Sequence, residues 1–137
     1  MVISYTGRSI ADIKPRYYTL ELEKCLRHPK DVLYGEPLAR SDAVIVVEGP
    51  VDVWRIGPGA IATLGTGWTT EQAKRIADHE RRFICFDNEI KAQGSAMKLA
   101  QWLSALPGIT EIITGLDTDP GDLSTDQVRE LRAELGL

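Results

Sequence analysis

Cysteine is nearly absent: Cys25 and Cys85 are the only two in 137 residues. No Cys-x-x-Cys pair exists, so neither a zinc ribbon nor a disulfide scaffold can be built from this chain. Long apolar runs are missing too. The longest, Ala43 to Val47, falls far short of the roughly 20 residues that cross a bilayer, which argues against a membrane partner. The opening MVISYTGRSI has no basic lead followed by an apolar stretch. It does not read as a signal peptide, and a reducing cytoplasm is the expected location. Basic charge is not in excess either. Sixteen Lys and Arg stand against twenty Asp and Glu, a formal charge of −4. That excludes a broadly basic nucleic-acid coat and leaves room only for a local patch. There is no internal repeat and no low-complexity tract. What remains is an ordinary globular composition, 43% hydrophobic and 26% charged, at a length suited to one domain.

The acidic surplus is uneven. Residues 1–42 carry seven Lys/Arg and six Asp/Glu, whereas 43–137 carry nine and fourteen. The two parts also differ in pattern. Over 1–42, Gly7, Pro15, Pro29, Gly35 and Pro37 interrupt the chain too often for long elements, and only Val2 to Tyr5 suggests a short strand. From Ala43 on, elements alternate. AVIVVE is a β-branched run typical of a strand buried on both faces. Val51 to Ile56 allows a short helix, and Ala60 to Leu64 a second strand closed by Gly65. Thr69 offers an N-cap to a helix reaching about Glu80. Phe83 to Phe86 reads as a third strand and Ser95 to Leu106 as a helix, with Met97, Leu99, Ala100, Leu103 and Leu106 facing inward. Ile109 to Thr114 is the fourth strand, and Asp122 to Thr125 caps a last helix ending near Leu135. This alternation predicts an α/β fold with a mostly parallel central sheet of about four strands flanked by helices.

In such sheets, sites form at the carboxyl ends of the strands. Three of the four strand ends here deliver acids: Glu48 and Asp52 after the first, Asp87 and Glu89 after the third, Asp117, Asp119 and Asp122 after the fourth. Clustered carboxylates raise one another's pKa unless a cation neutralises them. Hard oxygen donors suit Mg2+ or Mn2+, ions that keep open positions for phosphate oxygens. Taken singly, Asp52, Asp117 and Asp122 also fit helix caps and turns. Glu48 directly follows a buried strand at a glycine turn, and Asp87 and Glu89 are alternate residues that a strand end would point the same way.

The segments VIVVEGPVDV, ATLGTGWTTEQ, FICFDNE and DTDPGD resemble the Toprim domain of bacterial-type primases, topoisomerases and some nucleases. The likeness is greatest to the catalytic core of bacterial and phage DnaG-type DNA primases. The lead-in VISYTGR and PRYYTLELEKCLRHPKDVLYG is similar to the segment joining the primase basic subdomain to its Toprim fold. The resemblance thus implies residues 1–42 as the end of a basic subdomain and 43–137 as the Toprim domain. It implies Glu48 as an acid/base group or metal ligand and Asp87 with Glu89 as a metal-binding pair, Asp52, Asp119 and Asp122 lying nearby. It places Arg8, Lys14 and Arg16 where primases turn basic residues toward nucleotide or template. Two departures stand out: Glu89 occupies a position where the family usually has Asp, and IKAQGSA replaces a compact Ala-Gly step.

The implied activity is metal-dependent nucleotidyl transfer, making RNA primers on a single-stranded DNA template from nucleoside triphosphates. A replicative helicase, or primase domains on another chain, are the implied partners. Two rivals stay open: a small Toprim nuclease using the same metals, and a non-catalytic module binding DNA or a partner. A receiver-like signalling domain also gathers acids at strand ends, but it predicts a Lys that TGLDTDPGD lacks. Among the remaining residues, Gly65 to Trp68 reads as a tight turn rather than a phosphate loop, since no Gly-Lys-Ser/Thr follows. Trp68 is the one tryptophan placed to stack a base, while Trp54 and Trp102 read as core or interface. Cys85 reads as an inert core thiol, and His28 and His79 have no ligand partner at metal spacing.

Overall fold

A computed structural model describes residues 4, 6–15, 17–39 and 42–137. For Thr6, Arg8, Tyr17 and Thr19 it describes the backbone only. The main sheet has four strands: β3 (Ala43–Val47), β4 (Ala60–Ala62), β5 (Arg81–Ile84) and β6 (Ile109–Ile112). They lie in the order β4-β3-β5-β6, and every pairing is parallel. β3 is buried along its whole length, as its unbroken β-branched run requires of a central strand covered on both faces. A preceding ribbon pairs β1 (Thr6–Arg8) antiparallel with β2 (Tyr17–Thr19).

Side-chain alternation divides the core into two layers. Ala43, Ile45 and Val47 pack with Phe83 and Cys85 against α1 (Pro50–Ile56) and α4 (Thr125–Leu135). Val44 and Val46 pack with Ile84 and Phe86 against α2 (Thr70–Ala77) and α3 (Ile90–Ser104). Helices on both faces of a parallel sheet make a three-layer α/β/α sandwich. The fold class read from the sequence is the one observed. No helix among the described residues is long and apolar enough to cross a membrane.

Several boundaries shift, each for a local reason. β4 stops at Ala62 because Leu64 takes a left-handed conformation, φ 61°. α2 ends at Ala77, short of Glu80, because residues 78–80 must turn the chain into β5. β5 runs Arg81–Ile84 rather than Phe83 to Phe86; Cys85 and Phe86 stay buried beyond the last paired residue. α3 begins at Ile90, five residues before the expected Ser95. Its buried stripe is Ala92, Ala96, Leu99 and Leu103, at helical spacing, so Met97 points outward at 60% exposure and Leu106 lies at 37%. β6 ends at Ile112 rather than Thr114. Of the short strand expected at Val2 to Tyr5, Val2, Ile3 and Tyr5 lie outside the described residues.

Residues 28–39 pack closely on the α/β unit. Leu33 is buried, and Tyr34 exchanges two backbone hydrogen bonds with Ala62, which covers the outer edge of β4. Gly35, at φ 82°, is required here: a Cβ would stand 2.8 Å from the Ala60 carbonyl oxygen. Trp54, expected in the core or at an interface, is 68% exposed and donates its indole N–H to the Tyr34 hydroxyl at 2.8 Å. Trp102 packs against the α2/α3 layer.

Candidate functional site

The carboxyl ends of β3, β5 and β6 converge on one edge of the sheet, and hydrogen bonds stitch their loops together. Glu48 follows β3 and is buried, only 9% exposed. Its Oε1 accepts the backbone N–H of Asp87 at 3.1 Å, and its carbonyl oxygen accepts the N–H of Gly65 at 2.8 Å. Asn88 carries the stitching onward. Its backbone N–H donates to Asp119 Oδ1 at 2.9 Å, and its side-chain amide donates to the Leu116 carbonyl at 3.2 Å. Two consecutive N–H groups, those of Asp87 and Asn88, are therefore held by two acids from different strand ends.

Asp52 lies in the first turn of α1 and caps it, Oδ2 accepting the Gly49 N–H at 2.8 Å. Its other oxygen faces the 120–122 turn; a Cβ on Gly121 would stand 2.7 Å from it. Asp122 ends that turn, and its charge, with that of Asp119, acts on Asp52. Glu89 is the N-cap residue of α3, exposed, with no side-chain cap bond. Asp87 and Glu89 are thus loop residues, not alternate positions on a strand, because β5 ends at Ile84. Their charges still reach each other and Glu48 across the loop.

The electrostatics follow from gathering acids away from water. Asp87 is pushed up to about 7, first by burial and then by the carboxylates of Glu48, Asp119, Asp52 and Glu89. Burial likewise raises Glu48 and Asp52, with neighbouring acids adding to it and the backbone donors of Asp87 and Gly49 working against it. None of the ion pairs among the described residues involves these acids. The donor set, all carboxylate oxygen and short of positive charge, fits a hard divalent cation. The side chains do not stand as a finished cage: among the described residues no three acids, histidines or cysteines are placed to hold a metal.

The basic residues expected near the site fall on the lead-in ribbon. Lys14 is exposed between β1 and β2, while the Arg8 side chain and all of Arg16 lie outside the described residues. Among the described residues, Lys30 reaches this edge. Its Nζ donates to the carbonyls of Thr63 at 3.0 Å, Leu64 at 2.8 Å and Gly67 at 2.6 Å, and burial lowers its pKa. It fixes the turn of residues 63–67, whose order in the sequence gives no hint of a partner more than thirty residues earlier. Trp68 is packed against the α2/α3 layer with its indole N–H on the Ser95 carbonyl at 3.2 Å, an arrangement for packing rather than base stacking. Cys85 is fully buried and its thiol is pushed up to about 12, which leaves it inert. His28 caps a short turn by accepting the Lys30 N–H at 3.1 Å.

No protein-family model matches the chain. Among characterised proteins it is 30% identical over 131 residues to a DNA primase of Halalkalibacterium halodurans, covering 86% of this chain and 22% of that protein. It is 32% identical over 127 residues to a DNA primase of Legionella pneumophila, covering 85% and 21%. The chain therefore spans about a fifth of the length of these relatives. Among solved structures, the zinc-binding and RNA polymerase domains of the Aquifex aeolicus primase superpose with a TM-score of 0.80 at 21% identity, over 98% of this chain and 36% of that one. A DnaG primase catalytic domain bound to single-stranded DNA superposes at 0.77 with 22% identity, over 97% and 47%.

Proposed function

We propose that this chain, which resembles the catalytic core of DnaG-type DNA primases in sequence and fold, supplies the metal-binding platform of a primase-type nucleotidyl transfer on single-stranded DNA. The observation that carries the reading is the linked set Glu48, Asp87 and Asp119: three acids from three strand ends, joined through the N–H groups of residues 87 and 88. The raised carboxyl of Asp87 supports it, because burial and then four neighbouring carboxylates act on one group at this edge. Residues 43–137 form the platform, and 1–42 are a lead-in whose last part braces β4.

Glu48, Asp87 and Glu89 would hold Mg2+ or Mn2+, with Asp52, Asp119 and Asp122 shaping the field around it. Such an ion, when bound, neutralises charge on a phosphoryl group undergoing transfer. The reaction is attack of a primer 3′-hydroxyl on the α-phosphorus of a nucleoside triphosphate, forming a phosphodiester and releasing pyrophosphate. Glu48 contributes a buried carboxylate pinned by the Asp87 N–H, a group able to accept or return a proton. The Asp119–Asn88 bond keeps the two acidic loops at a fixed separation. Lys30 is used up on carbonyls and is assigned to the turn, not to phosphate. Arg8, Lys14 and Arg16 remain proposed contacts for template or nucleotide.

The test is incubation with single-stranded DNA, ribonucleoside triphosphates and Mg2+ or Mn2+, resolving products on a denaturing gel. Short RNA products absent in Asp87→Ala are expected. Strand cleavage without triphosphates would replace this reading with the nuclease one. DNA binding with no reaction, unchanged in Glu48→Gln, would replace it with an accessory module.

A further inference from the structure

We infer that Gln93 is a positioning residue for Asp87, setting the geometry of the acidic loop through its backbone without touching a bound cation. The inference rests on the metal-platform reading above. The last sheet bond of β5's extension is the Cys85 N–H on the Val46 carbonyl, at 2.8 Å. Beyond it, no ladder holds residues 86–88. Gln93, on the first turn of α3, takes over. Its Nε2 donates to the Phe86 carbonyl at 3.2 Å and to the Asp87 carbonyl at 2.9 Å.

Asp87 is consequently pinned on both sides. Its N–H is held by Glu48 and its C=O by Gln93. With both flanking peptide planes fixed, the direction of its Cα–Cβ bond is fixed as well, since φ and ψ are the only soft backbone dihedrals. The loss of Gln93 would leave two carbonyls free to turn toward water and the Asp87 carboxylate free to wander. Ser95, two residues on, does the matching work for the neighbouring loop: its hydroxyl donates to the Thr66 carbonyl, and its own carbonyl accepts from Trp68. The start of α3 thereby brackets two loops of the site. Partners that orient metal-binding residues without binding the metal commonly control affinity by tenfold or more.

The experiment is Mn2+ titration by calorimetry on the wild-type chain, Gln93→Met and Gln93→Ala, with urea midpoints measured in parallel. Both variants remove the donors at a half-buried helix position where either residue is compatible with a helix, so one serves if the other misfolds. An Mn2+ Kd weakened on the order of tenfold, with a nearly unchanged urea midpoint, supports the inference. A lowered midpoint with unchanged affinity overturns it, showing that Gln93 only braces the helix, and leaves the platform reading standing. Absence of saturable Mn2+ binding by the folded wild-type chain overturns the platform reading and this inference with it.

Discussion

The N–H of Asp87 donates to Oε1 of Glu48 at 3.1 Å, so an acid at the end of β3 holds the backbone of an acid beyond β5. The same bond that stabilises the Glu48 carboxylate brings two negative side chains near each other. Burial first, and then the charges of neighbouring acids, lift both pKa values. Structure and chemistry pull against each other here, which makes the pair open to experiment.

Glu48→Gln keeps an oxygen able to accept the Asp87 N–H and removes one charge from the cluster. Stability at pH 7.5 should stay level or rise by up to about 1 kcal/mol, while Mn2+ affinity drops by on the order of tenfold or more. Urea denaturation and calorimetry read the two effects separately. A marked loss of stability would show that the charge, not the bond, holds the loops.

Asp87 is raised from 3.8 to about 7 by folding, so between those values the folded chain keeps a proton that the unfolded chain has released. Stability should therefore fall as pH rises through that window. Asp87→Asn should match the wild type below it and exceed it above pH 7, by on the order of 1 kcal/mol once solvent screening is allowed for. Urea midpoints from pH 3.5 to 8 check this. A wild-type curve that is flat across the window, or rises, would refute it.

Lys30→Met should cost about 2 kcal/mol, since it strips a charged donor from three carbonyls around a left-handed Leu64. Lys30→Arg should not restore it, because a planar guanidinium cannot aim at three converging oxygens as an ammonium does. Denaturant midpoints of the two variants decide.

Gly121→Ala should cost about 1–2 kcal/mol, because the new methyl would meet Asp52 Oδ1. The same change made in Asp52→Ala should cost far less, the space having been vacated. A double-mutant cycle is expected to give a coupling of about 1 kcal/mol; strictly additive values would mean that the 120–122 turn moves aside instead.

The class of fold was legible because β3 and the helix patterns carry strong local signals: an unbroken β-branched run, a capping Thr69, a capping Ser124 ahead of a periodic helix. Boundaries were less legible where a tertiary demand overrode propensity. Met97 looked buried on its hydrophobicity, yet the docked face of α3 is the alanine stripe through Ala92 and Ala96, which lets the helix approach the sheet closely. Trp68 looked free in a glycine-rich loop, yet α3 offers its ring a surface and its N–H a carbonyl.

The acids themselves could be named from the sequence because each follows a strand, and parallel topology sends strand ends to one edge. What the sequence determined by itself is therefore the kind of sheet and the identity of the carboxylates near its edge. Only the tertiary structure decided how they are held: that the N–H groups of residues 87 and 88 reach two different acids, that Asp52 is spent on a cap, that Gln93 turns back onto the loop just ahead of its own helix, and that Lys30 secures a loop more than thirty residues away. Local propensity is a property of neighbours along the chain. A hydrogen bond across thirty or forty residues exists only once the sheet has brought its ends together.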